Sequence, residues 1–359
     1  MRYIGNKTKL LAFIGDLLGA KHITGGRALD AFAGTSAVGS FLKARGFAVA
    51  GCDIMTYSYV LQRAYVVADA MPTFDGLAAE PGLQHGHSLT DLLRHLETTL
   101  PSRPSFITEH YSAPVDEPSD ARMYFTRDNA ERIDAIRHTL HDWHAAGRIV
   151  DDEYFILLAA LLEAADAVAN TAGVYAAFLK RWQPNARKPL RLDSPPLVVG
   201  TGRPCQAHHA DVNAVIDSLG HFDLLYLDPP YNNRQYSGYY HVPELLARGW
   251  FTDTPALRGK TGLIASESQQ SAWSVRDRCV DALETLLARA DANHVVMSYN
   301  NEGIIPESEI ERLFRAAGRR GSYQRIARDY ARYRSDSNGD ARQYVADRVT
   351  EYLYYVRLR

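Results

Sequence analysis

Apolar residues recur at helical spacing between Thr8 and Leu18 (Leu10, Leu11, Ile14, Leu17, Leu18), and Gly25-Gly26 ends that element. The short run 27–32 then reads as a strand. It hands over at Gly34 to a helix expected over about 36–44. After a turn at Gly46, a second strand over 47–52 ends on Asp53. Strand, turn, helix and strand in this order form a β-α-β unit of the doubly wound kind.

The pattern changes between Pro72 and Pro196. Pro and Gly punctuate 72–118, and two helical stretches follow at 129–144 and 153–168, with no strand alternation. Consecutive strands of a Rossmann-like sheet are joined by far shorter crossovers than this stretch of about 125 residues, so it reads as an inserted helical domain. The α/β pattern returns at 222–228, a continuous apolar strand of the buried parallel type. Further strands are expected at 295–298 and 349–358, the last forming a hairpin with a strand near 323–330. The organisation read from the pattern is thus a discontinuous α/β domain, 1–72 and 197–359, carrying a helical insert, 73–196.

With 359 residues and 46% apolar content the chain can bury a substantial core. The formal charge of −2, from 40 basic and 42 acidic residues, excludes a histone-like polycation, so any nucleic-acid surface must be local. Three widely spaced cysteines (Cys52, Cys205, Cys279) exclude a disulfide scaffold and a structural zinc site, and point to a reducing, cytoplasmic compartment. The longest apolar run, 154–162, is far short of the ~20 residues that span a bilayer. No signal peptide is expected either, because Asp16 interrupts the N-terminal apolar stretch.

Two segments carry chemistry. In Asp30-Ala31-Phe32-Ala33-Gly34-Thr35-Ser36-Ala37-Val38-Gly39 a strand passes into a helix, and Gly34 lets backbone approach a ligand. Taken alone this could be an ordinary tight βα turn. Asp53, at the end of the following strand, is placed to accept both hydroxyls of a ribose. The second segment is Asp228-Pro229-Pro230-Tyr231. It follows a buried strand and so lies at the carboxyl edge of the sheet, where ligands of open α/β folds bind. Two prolines remove two N–H donors and leave carbonyls and one carboxylate facing outward, an acceptor cluster suited to an exocyclic amine.

On these residues the chain resembles the DNA adenine methylase family, the alpha-group amino-methyltransferases that use S-adenosylmethionine. The matching segments are Arg2-Tyr3-Ile4-Gly5-Asn6-Lys7, Asp30 to Gly39, Asp53, and Asp228-Pro229-Pro230-Tyr231-Asn232-Asn233-Arg234-Gln235-Tyr236, in the family's order. They cover roughly 1–70 and 205–359. Within the insert, Met123-Tyr124-Phe125-Thr126 and Asn170-Thr171-Ala172-Gly173-Val174-Tyr175 match more loosely. The resemblance implies an α/β, Rossmann-like methyltransferase sheet with an inserted helical target-recognition domain. By the same resemblance Tyr3 and Lys7 help hold the methionine end of the cofactor. Asp30, Phe32, Ala33 and Gly34 form its main loop, Asp53 binds the ribose and Asp211 receives the adenine. One departure is visible: the family often has Gly where this chain has Ser36 or Ala37.

Methyl transfer from a sulfonium is a direct displacement with a neutral leaving group, so it requires no metal and no covalent enzyme intermediate. The nucleophile, an aromatic amine, has its lone pair delocalised. Hydrogen bonds to the Asp228 carboxylate and the Pro229 carbonyl would favour developing positive charge on nitrogen. Pro230 completes the loop, and Tyr231 would stack on a base flipped out of the duplex.

Pro204-Cys205 resembles the nucleophilic dipeptide of C5-cytosine methyltransferases, but no Glu-Asn-Val partner follows and Cys205 reads as a plain thiol. His208-His209 lack metal-ligand spacing. Basic charge collects in two places. Lys180, Arg181, Arg187, Lys188 and Arg191 lie in an acid-free stretch with Trp182 interleaved, and from Glu311 onward twelve arginines face six acids. The first patch is expected to contact DNA phosphates, together with Arg234 and Tyr236 beyond the catalytic loop. The expected activity is site-specific methylation of adenine N6 in double-stranded DNA, in a bacterial or phage modification system where a cognate restriction endonuclease acts separately. N4-cytosine methylation, an RNA substrate and a non-catalytic DNA-binding subunit remain as alternatives.

Overall fold

Ala28 and Leu29 in the first strand, and Leu224 and Leu225 in a later one, are wholly buried. A strand in the middle of a parallel sheet is covered on both faces and must be apolar on both. In the computed structural model, which describes residues 1–83, 88–115, 121–265, 267–331 and 348–358, these strands occupy the centre of a seven-stranded sheet. Its strands are β1 (Gly26–Asp30), β2 (Phe47–Asp53), β3 (Gln206–His209), β4 (Phe222–Leu227), β5 (Ala292–Asn300), β6 (Gln324–Ala331) and β7 (Arg348–Arg357). Their order is β3-β2-β1-β4-β5-β7-β6. The first five run parallel, and β7 and β6 pair antiparallel at one edge.

This topology decides where a ligand can bind. β2 and β3 lie on one side of β1, and β4 and β5 on the other, so the winding reverses between β1 and β4. At such a switch point the carboxyl ends of two neighbouring strands open a crevice. β1 ends there on Asp30 and β4 leads there into Asp228. The expected hairpin is present, with Ile326 opposite Leu353 and Ala327 opposite Tyr352. The edge strand β3 is not foreseen by periodicity, because Gln-Ala-His-His carries no apolar alternation.

The chain divides into two compact units. One comprises Gly5–Gln62, Thr201–Gln235 and Ser268–Arg359 and holds the sheet; the other comprises Met1–Ile4, Arg63–Gly200 and Tyr236–Glu267. The second unit is built on the helices Arg127–Ala145 and Asp151–Val168, with shorter helices at Leu89–Thr98, Phe106–Tyr111 and His241–Arg248. Thr126 caps the first of these by accepting from the Asn129 N–H. A two-residue parallel bridge joins Ser112–Ala113 to Phe125–Thr126.

The helical unit thus draws in two segments besides the central stretch. The Arg137 guanidinium, almost wholly buried, donates from Nε to the Leu246 carbonyl at 2.8 Å and anchors the helix His241–Arg248. Arg2 donates to the Asp166 carbonyl at 2.6 Å and to the Ala169 carbonyl at 3.1 Å. Among the described residues no helix is long and apolar enough to cross a membrane.

Candidate active site

The turn after β1 is tied to its neighbouring strands. The Ala31 N–H donates to the Tyr226 carbonyl and the Ala33 N–H to the Cys52 carbonyl, both at 3.0 Å. Gly34 has φ +49°, and Ser36, which precedes the helix Ala37–Ala44, has φ +60°. The left-handed region is the usual province of glycine. The departure from the family pattern at Ser36 therefore falls on a residue whose backbone conformation favours glycine. Its hydroxyl is buried and has no hydrogen-bond partner.

Three carboxylates gather at this edge of the sheet. Asp53 accepts from the Gly34 N–H at 2.8 Å and from the Met55 N–H at 2.9 Å, which fixes the glycine turn to the end of β2. Asp30 is 1% exposed, and neither carboxylate oxygen has a close hydrogen-bond partner. Burial, with the nearby charge of Asp228, raises its pKa to about 7, against the opposing pull of the Gly39 and Phe32 backbone dipoles. Asp228 keeps 15% of its side chain exposed. Burial lifts its pKa to about 6, opposed by Lys7 and the Tyr231 hydroxyl and reinforced by Glu351.

Around Asp228 four side chains form one buried network. Lys7 Nζ lies 3.0 Å from Asp228 Oδ1 and 3.3 Å from Glu351 Oε1, and it also contacts the Tyr231 hydroxyl and the Gly5 carbonyl. The Tyr231 hydroxyl lies 2.7 Å from Asp228 Oδ1 and 3.1 Å from Glu351 Oε1. Ser298, on β5, donates to the same Glu351 oxygen at 2.7 Å. Burial alone would depress the Lys7 ammonium, but the two carboxylates outweigh it and hold its pKa above the ordinary lysine value. Tyr299 stiffens the loop: its hydroxyl donates to the Pro230 carbonyl at 3.2 Å, and its ring stacks on Tyr231 with centroids 5.0 Å apart.

Comparison with known proteins bears on this arrangement. A family model described as D12 class N6 adenine-specific DNA methyltransferase matches residues 3–313. The chain belongs to that family. It is 35% identical to the Type II methyltransferase M.NlaIII of Neisseria lactamica, over 99% of this chain and 98% of that one. It is 32% identical to the Type II methyltransferase M.FokI of Planomicrobium okeanokoites and to the modification methylase LlaI of Lactococcus lactis subsp. lactis. Each of these matches covers 99% of this chain but only 52% and 55% of the relative. The mostly parallel sheet is consistent with a Rossmann-like methyltransferase fold.

In this D12 methyltransferase the structure brings Lys7, Asp30, Gly34, Asp53, Asp228 and Tyr231 to one edge of the sheet. Tyr3 falls in the helical unit, where it stacks on Tyr240 at 4.7 Å, with Tyr236 at 5.7 Å. The Tyr231 ring is largely enclosed, with Lys7 Nζ 4.6 Å from its centroid and Tyr299 stacked on it, which leaves little of it open to a base. Asp211 uses Oδ1 to cap the Asn213 N–H at 2.9 Å. It borders a cleft of about 420 Å³ lined also by Asn213, Trp273, Arg278 and Thr285. Phe32 meets the Trp273 ring edge-on at 4.9 Å.

Lys180, Arg181, Arg187, Lys188 and Arg191 are all exposed, on a segment without regular secondary structure, and Arg191 is paired with Glu97 at 3.1 Å. Two buried asparagines shape that segment. Asn129 Nδ2 donates to the carbonyls of Ala186 and Lys188, and its Oδ1 accepts from the Leu190 N–H. Asn170 Nδ2 donates to the carbonyls of Met123 and Leu179, and its N–H to the Tyr124 carbonyl at 2.8 Å. The two loosely matching segments of the insert are therefore one structural clamp. Arg234 is exposed, and its N–H closes a turn on Asn232 Oδ1. In the second basic stretch Arg312, Arg315 and Arg325 pair with Glu309, Glu311 and Glu307, while Arg332, Arg334, Arg342 and Arg359 lie outside the described residues.

Sequence reasoning missed Glu351 and Ser298. Glu351 is the fourth residue of a well-alternating C-terminal strand where a carboxylate reads as solvent-facing, and only its pairing with Asn300 on β5 turns it inward.

Proposed function

We propose that the protein transfers a methyl group from S-adenosylmethionine to N6 of an adenine flipped out of duplex DNA, as the modification enzyme of a restriction system. The observation that carries this reading is Asp228, a partly open carboxylate at the switch point of the sheet, followed by a Pro-Pro pair that supplies carbonyl acceptors and no competing N–H. Asp228 and the Pro229 carbonyl would accept hydrogen bonds from the two amine N–H groups and favour charge building on nitrogen.

The donor site fits a cationic cofactor. Asp30 offers a buried carboxylate whose oxygens lack close partners, which suits a positively charged group. Asp53, which ties the Gly34 turn to the end of β2, would accept ribose hydroxyls, and Asp211 with its cleft would take the adenine end. When bound, S-adenosylmethionine supplies an electrophilic methyl on a sulfonium. The exposed cations from Lys180 to Arg191 would contact phosphates, with Arg234 and Tyr236 beside the target. A cytoplasmic setting, with the endonuclease as a separate chain, agrees with this role.

The test is transfer of labelled methyl from S-adenosylmethionine to duplex DNA, followed by mass spectrometry of the nucleosides. N6-methyl-2′-deoxyadenosine in the digest supports the reading. N4-methyl-2′-deoxycytidine, labelling of RNA alone, or binding without transfer replaces it with the corresponding alternative.

A further inference from the structure

Glu351 lies outside the 3–313 segment that the family model covers, yet its Oε1 meets three groups of the site. It lies 3.3 Å from Lys7 Nζ, 3.1 Å from the Tyr231 hydroxyl and 2.7 Å from Ser298 Oγ. Lys7 and Tyr231 are also the two groups that hold Asp228 Oδ1, at 3.0 and 2.7 Å. Two carboxylates therefore share one ammonium and one phenol inside a nearly closed site. From this geometry we infer that Glu351 is a positioning residue for methyl transfer, drawing part of Lys7 and Tyr231 away from Asp228 so that its carboxylate stays free enough to accept the target amine. The inference rests on Asp228 being that acceptor.

The physical reason is competition. An Asp228 carboxylate fully neutralised by a buried ammonium and a phenol would be a weak acceptor, because its lone pairs would already be committed. A second carboxylate against the same donors divides their pull. Ser298 keeps Glu351 oriented, since a buried carboxylate needs donors. The groups facing Asp228 are Lys7 from the N-terminal segment, Tyr231 from its own loop, Glu351 from β7, Asp30 at the end of β1, Tyr226 on β4 and Tyr299 on β5. Of these, Glu351 and Asp30 are the carboxyl groups. Glu351 is the one that also holds Lys7.

The experiment measures single-turnover methyl transfer to duplex DNA across pH 5 to 9 in the full-length protein, with cofactor affinity and thermal midpoint recorded for each variant. Glu351→Gln keeps the size and hydrogen-bonding capacity but removes the charge. Lys7 then belongs to Asp228 alone, so plateau transfer should fall by at least about tenfold, and the acid limb should move to lower pH with cofactor affinity held. Ser298→Ala keeps the Glu351 carboxyl group but removes the hydroxyl that holds it, so Glu351 draws harder on Lys7 and the limb should move to higher pH. This small substitution keeps the inference testable should Glu351→Gln fail to fold. Limbs that stay at the wild-type pH in both variants, with losses that follow the thermal midpoint, would make Glu351 merely structural. Asp228→Ala runs alongside. If it retains transfer, the acceptor reading itself fails and this inference goes with it. If it is inactive while the limbs do not move, only the role of Glu351 is overturned.

Discussion

Lys7 Nζ lies 3.0 Å from Asp228 Oδ1, nearly sealed from solvent, so the third residue of Gly5-Asn6-Lys7 is tied to the head of Asp228-Pro229-Pro230-Tyr231. This pair joins the N-terminal motif to the end of β4. It puts a positive charge beside the carboxylate assigned to the target amine, and the predictions below turn on that balance.

Asp228→Ala should lower methyl transfer by about 10² to 10³, the usual loss for one preorganised hydrogen-bonding group. Cofactor affinity should hold. Asp53→Ala should do the reverse, because it removes the ribose acceptor and releases the Gly34 and Met55 N–H groups together. Calorimetry with S-adenosylmethionine alone distinguishes the two. A parallel collapse of affinity in Asp228→Ala would make that residue a cofactor ligand.

Asp228, with its pKa raised to about 6, sets the acid limb of activity. Above that pH the carboxylate accepts; below it the added proton turns the acceptor into a donor. kcat/KM for DNA should therefore drop by about tenfold per pH unit well below 6. A profile flat down to pH 5 would mean that protonation of Asp228 does not control the reaction.

Asp30 should cost stability at neutral pH. Its folded pKa of about 7 stands above the ordinary value of 3.8, so the folded state prefers the protonated acid. The penalty is absent below pH 4, grows from 4 to 7 and is complete above 7. Its ceiling is about 4 kcal/mol at 1.36 kcal/mol per pKa unit. Asp30→Asn should therefore raise the melting temperature of the cofactor-free protein at pH 8 but not at pH 4, while weakening S-adenosylmethionine binding. An equal thermal shift at both pH values would contradict the charge argument.

Ser36→Gly should stabilise the protein. A side chain at φ +60° costs about 1–2 kcal/mol, more than the 0.4–1 kcal/mol or so that glycine adds to unfolded-chain freedom. The Ser36 hydroxyl, buried without a partner, offers nothing to offset this. Denaturant midpoints should show a net gain of up to about 1.6 kcal/mol. A loss of stability would mean that the hydroxyl is satisfied in a way its surroundings do not reveal.

Charge reversal at Arg187 and Lys188, both exposed, should weaken duplex binding similarly on specific and non-specific sequences. Each lost phosphate contact should flatten the plot of log affinity against log salt by about 0.9. An unchanged slope would return these residues to ordinary solvated surface. A loss confined to one DNA sequence would assign them to base readout.

What the sequence by itself determined is whatever a short window can encode. The buried strands at 26–30 and 222–227, the glycine turn between strand and helix, Asp53 at the end of β2 and the Asp-Pro-Pro-Tyr loop all follow from apolar runs and turn chemistry within a few residues. Tertiary structure alone decided which distant groups meet. Glu351 joins Lys7 from the other end of the chain because β7 pairs antiparallel with β5, and Ser298 faces the same oxygen. Tyr3 is grouped with the helical unit, and Tyr236–Glu267 joins that unit through contacts such as Arg137 with the Leu246 carbonyl. A buried charge takes whichever partners the fold brings within hydrogen-bond reach, and no local pattern records that choice.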